Sequence, residues 1–169
     1  LESLGGEVLT GCEVSGFDQV AEYCDGPVEV VMLDTSVEAA LRIGEGQLGP
    51  HVRRGLSRFE YGPAAFKLAL AIDGPVPWTN PEAARAGTVH LGGTGEQIAA
   101  AERSCVAGEM PDSPFVLVGQ QHLADPSRSN GSVTPLWTYA HVPHGYHGDA
   151  SAAIMKQLER FAPGISDQV

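Results

Sequence analysis

Residues 88–102, TVHLGGTGEQIAAAE, decide the fold class of this chain. A short β-branched run meets a cluster of glycines, and the glycines open a helix-forming stretch. Two architectures share that outline. A dinucleotide-binding turn sets G-x-G-x-x-G between a strand and a helix of a parallel βαβ unit. A capped helix start needs only a hydroxyl and, three residues later, Glu or Gln. Here Gly93-Thr94-Gly95-Glu96-Gln97-Ile98 supplies the first two glycines and puts Ile98 where the third belongs. That third glycine lets helix pack closely on strand, and a branched side chain defeats it. Glu96 would also push a carboxylate toward an incoming phosphate. Thr94 and Gln97, by contrast, read T-x-x-Q, with Glu96 well placed at the positive end of the helix dipole. The stretch is read as a helix start rather than a phosphate site.

The neighbouring segments then fall into place. AFKLALAI puts Phe66, Leu68, Leu70 and Ile72 on one side and Lys67, Ala69, Ala71 and Asp73 on the other, a half-buried strand with period two. Gly74 to Pro81 is a proline-rich loop carrying Trp78. TVHL, FVLVGQ (115–120) and LWTYAHV read as further strands, the last with Trp137, Tyr139 and His141 on one side. ASAAIMKQLERFA spaces Ile154, Leu158 and Phe161 as the apolar stripe of a helix. From about residue 62 the order is β-β-α-β-β-α. The expected fold is α+β: a mixed, largely antiparallel sheet with helices packed on one face.

Upstream the pattern is less regular. EVLTGCEV (7–14) reads as a strand, and VEVVML (28–33) as a strand buried on both faces. Ser36 is placed to N-cap a short helix, VEAALRI, that Gly44 stops. GEGQLGP is a hinge-like loop, and HVRRGLSRF a short basic helix weakened by Gly55. Residues 1–45 are expected to form a separate layer or domain, and 46–169 the main one.

Composition narrows the functional classes. The chain has 169 residues, 43% hydrophobic, enough for a real core, and only 18% charged. Lys+Arg 10 against Asp+Glu 21 gives a net charge of -11, which repels nucleic-acid backbones. No apolar run is long enough to span a bilayer. Cys12, Cys24 and Cys105 are an odd count at wide spacing, expected as free thiols of a cytoplasmic protein.

Three constellations merit weighing. His141, His144 and His147 form H-x2-H-x2-H, but Pro143, Gly145 and Gly148 make that segment a loop, and no second ligand cluster accompanies it. No metal site is expected. ADPSRS reads as a turn closed by an Asp125–Arg128 contact. Phe66, Trp78, Trp137 and Tyr139 are aromatic enough to line an apolar pocket, with core packing as the competing explanation.

The strings YGPAAFKLALAIDGPVPWTNPEAARAGTVHLGG, PFVLVGQQHLADPSRS, WTYAHVPHG and QLERFAPG together resemble the middle of phytoene desaturase-like FAD-dependent oxidoreductases. The likeness is narrower still to the subgroup with a pyridine-nucleotide-disulfide-oxidoreductase domain, and it runs from LESLGGEV almost to the end. It implies an internal fragment lacking the N-terminal GxGxxG and the C-terminal flavin segment. Residues 1–45 would be a piece of the flavin domain and its crossover, with the Val14 backbone near the adenine end of FAD. Residues 46–169 would be the substrate-binding domain, with FAD bound in the parent protein and not by this fragment alone.

The function so implied is hydride removal from an apolar small molecule by the flavin, with the protein supplying positioning and exclusion of water. Phe66, Trp78, Trp137, Tyr139 and His141 are the expected substrate contacts, and no catalytic residue is named. The location would be cytoplasmic, or peripheral to a membrane in the full-length protein, and exposed apolar surface could pair the isolated fragment as a homodimer. The alternative is a non-catalytic small-molecule-binding or interaction module.

Overall fold

Both halves of the T-x-x-Q box form. The Gln97 amide N–H donates to Thr94 Oγ1 at 3.3 Å, and the Thr94 N–H donates to Gln97 Oε1 at 2.9 Å. In the computed structural model, which describes residues 1–24 and 26–169, this cap opens a 12-residue helix. The chain divides into two compact units, Leu1–Glu60 and Tyr61–Val169. The sequence reading puts its boundary at residue 45, so the helix at 50–56 falls in the first unit instead.

The first unit holds short helices: α1 (Phe17–Val20), α2 (Val37–Ile43) and α3 (Pro50–Leu56). The Ser36 hydroxyl accepts from the Ala39 N–H at 3.2 Å and caps α2, which ends at Gly44 as its sequence directs. Proline opens α3, where its missing N–H costs no helical bond. Two expectations fail here. Neither EVLTGCEV nor VEVVML lies in a ladder, and Val30 and Met32 are 74% and 90% exposed rather than buried. β-branched residues favour a strand only where another strand offers its N–H and C=O groups. The described residues of this unit include no such partner.

The second unit realises the β-β-α-β-β-α order. Its elements are β1 (Ala64–Asp73), β2 (Thr88–Leu91), α4 (Gly95–Val106), β3 (Val116–Gly119), β4 (Val133–Val142) and α5 (Ser151–Phe161). The strands form one sheet in the order β1-β4-β3-β2, and all three pairings are antiparallel. The fold is α+β.

Alternation then sorts the side chains. Residues directly opposite in an antiparallel pair share a face, so Leu68, Thr138 and Val118 share one side with Leu70, Leu136, Ala140 and Val116. That side is the core. Ile72, Val116, Val118 and Ala140 are fully buried there, together with Ile154 and Leu158 of α5, Ala162 just after it, and Ile165 of the terminal turn. Thr138, at the centre of this apolar layer, satisfies its hydroxyl by donating to Leu68 O at 2.9 Å. Gln157 does the same, its amide donating to Pro114 O at 2.7 Å.

Candidate functional site: the outer face of the sheet

The opposite face of the sheet carries the more unusual chemistry. Down the central strand β4 run Pro135, Trp137, Tyr139 and His141, each partly exposed. On the β1 side the opposing residues are Ala71, Ala69, Lys67 and Ala65. On the β3 side Gly119 stands opposite Trp137, and Leu117 opposite Tyr139. A line of aromatic rings is thus bordered by small residues, except beside Tyr139, where Lys67 and Leu117 stand.

The rings touch in sequence. Trp137 and Tyr139 meet edge-on, with centroids 5.4 Å apart, and Tyr139 and His141 lie 5.9 Å apart. Lys67 holds its ammonium 5.6 Å from the Trp137 ring centre, a cation–π distance. The indole also lies across Gly119, where an added Cβ would come within 3.1 Å of its Cε3. Glycine there gives the ring room to lie down. Farther along this face His90 stacks on Phe115, with centroids 5.4 Å apart and planes 11° apart.

Each end of the face is furnished differently. At the C-terminal end of β4, the Glu102 carboxylate of α4 meets His141 Nδ1 at 2.8 Å. The side chains are 38% and 35% exposed for His141 and Glu102, so the pair is half-shielded. One turn on, the Cys105 thiol donates to the His141 backbone carbonyl at 3.2 Å. Burial pushes the Cys105 thiol up, and the Glu102 charge pushes it further, so it stays protonated and a poor nucleophile. At the other end a hollow of about 370 Å³ is lined by Ala69, Ala71, Pro135, Arg128 and Asn130 among others. Arg128 is held by the turn read from ADPSRS: its Nε lies 3.2 Å from Asp125 Oδ2, and Ser127 donates to Asp125 Oδ1 at 2.5 Å.

The five expected substrate contacts therefore separate. Trp137, Tyr139 and His141 come together on the outer face, whereas Phe66 pairs with Ala140 on the core side. Trp78 packs against the core too, its indole N–H donating to Gln120 Oε1 at 3.0 Å. The buried Gln120 amide in turn donates to Ala83 O and Ala86 O at 2.8 and 2.7 Å. Trp78 also lines a hollow of about 390 Å³ with Asn80, Val89 and Phe161. Period two on β1 and β4 separates faces within each strand, but only the register tells which faces coincide.

The remaining motifs resolve locally. His144 stacks on Tyr61 with centroids 5.9 Å apart, and among the described residues no three His, Cys, Asp or Glu side chains gather as a metal-ligand set. In the first unit Val14 lines a cleft of about 500 Å³ with Glu7, Leu9, Val20, Tyr23 and the free thiols Cys12 and Cys24. Sequence reasoning missed Glu102. Nothing in AAAERSC separates it from an ordinary solvated helix carboxylate, and its role depends on where α4 meets β4.

Fold and site together define an α+β domain with one packed and one open, aromatic sheet face. No protein-family model matches the chain, and neither does any curated protein or solved structure. Among the described residues, no helix is long and apolar enough to cross a membrane.

Proposed function

We propose that this chain is the substrate-binding part of an FAD-dependent oxidoreductase of the phytoene dehydrogenase-like kind. The open face of its sheet would be one wall of an apolar substrate site. The observation that carries this reading is the line Trp137–Tyr139–His141 left partly exposed beside Ala65, Ala69 and Ala71. Aromatic rings on a strand normally stabilise by burial, and a contiguous row left partly exposed supports a surface that binds something. Small residues alongside leave room for a flat or extended apolar molecule. The net charge of -11 disfavours nucleic acid as that molecule.

The described residues do not build a cradle for the flavin's phosphates. At the glycine-rich start of α4 the Thr94 and Gln97 amides are taken up by their own box and Glu96 sets a carboxylate in the first turn, and Val14 offers only the wall of a cleft. FAD would supply the hydride chemistry from parts of the parent protein beyond these residues. This chain's share is to bind the substrate, orient it and exclude water. Cytoplasmic residence, with or without a peripheral membrane contact, and pairing of the isolated fragment belong to the same reading.

Alanine substitutions in the full-length protein test it. Trp137→Ala and Tyr139→Ala are expected to raise KM, while Phe66→Ala and Trp78→Ala, on the core side, lower stability first. Unchanged turnover and affinity in the Trp137 and Tyr139 variants would refute the assignment. A full-length protein that purifies without flavin absorbance would instead favour the second reading, a non-catalytic small-molecule-binding module using the same face.

A further inference from the structure

We propose that Glu102 and His141 form a proton-accepting pair at the α4 end of the open face. Glu102 is the positioning residue, and His141 takes a proton from a hydroxyl or activated C–H group of the ligand that lies on Trp137 and Tyr139. The ligand's place on that face rests on the reading above; the state of the pair does not.

The geometry supplies each requirement of such a pair. A carboxylate oxygen accepts, so its 2.8 Å approach to Nδ1 assigns the imidazole hydrogen to Nδ1 in the proposed pair. The lone pair is then left on Nε2, and no described group is bonded to that nitrogen. Alternation along β4 puts the ring on the same side as Tyr139 and Trp137, with Tyr139 5.9 Å away. The backbone beneath it is fixed by the Cys105 thiol on the His141 carbonyl. Glu102 is in direct contact with the ring, Tyr139 stands beside it, Lys67 lies opposite Tyr139 on the same face, and Cys105 touches the backbone carbonyl beneath.

The step balances simply. The X–H bond of the ligand breaks, its electron pair stays on X, and the proton joins Nε2. The resulting imidazolium is neutralised by the Glu102 carboxylate it already touches, as in other carboxylate–histidine pairs.

The test uses the whole 169-residue chain and needs neither flavin nor substrate. Long-range proton–nitrogen spectra, recorded at about pH 8.5 where an ordinary imidazole is neutral, report the tautomer directly. His141 is expected to carry its hydrogen on Nδ1. Diethyl pyrocarbonate, which attacks the imidazole lone pair, is expected to modify His141 several-fold faster in the wild type than in Glu102→Ala, with His144 and His147 as internal references read by peptide mass spectrometry. The inference is overturned if wild-type His141 carries its hydrogen on Nε2. It is also overturned if Glu102→Ala leaves the rate unchanged, or raises it as simple unmasking would. The wild-type tautomer decides the matter even if the variant does not fold. Loss of the substrate assignment would leave these readouts untouched, so the two ideas fail separately.

Discussion

At the residue scale the outer face depends on Gly119 as much as on its aromatics. A Cβ at that position would sit 3.1 Å from Trp137 Cε3, close enough that the indole must shift. Gly119→Ala is expected to cost about 1 kcal/mol from this overpacking and to change the intrinsic fluorescence, with Trp78 unaffected in a Trp137→Phe background as control. Glu159 carries a different kind of local consequence. It accepts the Gly164 N–H at 2.6 Å and both the N–H and hydroxyl of Ser166, at 3.2 and 2.9 Å. The Gly164 bond, then those from Ser166, hold its carboxyl below the usual range. A carboxyl depressed in the folded state adds stability above its unfolded pKa and loses it as pH falls through the folded one. Glu159→Gln is therefore expected to lower stability at neutral pH and to converge with wild type in acid. Urea midpoints across the acidic range would show it.

At the scale of elements, the loop from Gly74 to Ala86 is tied to the sheet by the Thr134 hydroxyl at its start and by Gln120 along its length. Gln120 accepts from Trp78 and donates to Ala83 O and Ala86 O, and it is 2% exposed. Gln120→Leu keeps the volume but leaves those partners unmatched, and is expected to cost about 2 kcal/mol. Proteolysis should then cut the 74–86 segment faster. The start of α4 offers a contrast. Thr94→Ala removes one half of a capping box at an exposed helix end, and about 1 kcal/mol is the expected loss by chemical denaturation.

Across the whole molecule the two units differ in how they are held. The sheet unit has a continuous core of strand and α5 residues, including the fully buried Leu158. Leu158→Ala should cost about 2–5 kcal/mol. In the first unit Ile43 is the only large hydrophobic among the described residues that reaches the buried class, and a 60-residue segment with so little core is marginal. Hydrogen exchange is expected to be slow at β3, β4 and α5 and fast through residues 1–36. Equal protection in both units would contradict this.

The sequence by itself determined what local rules control. Period two found β1 and β4, the T-x-x-Q pair found the start of α4, Ser36 and Gly44 bounded α2, and the ADPSRS turn closed on its Asp125–Arg128 contact. Each of these signals lies within a few residues of its own partner. Tertiary structure decided the rest. VEVVML has the composition of a buried strand, yet a ladder needs a second strand, which composition does not reveal. Phe66 and Trp137 look equally ready to line a pocket until the β1–β4 register sends them to opposite faces. Glu102 and His141 are 39 residues apart. Only the packing of α4 against the end of β4 brings that carboxylate to that ring.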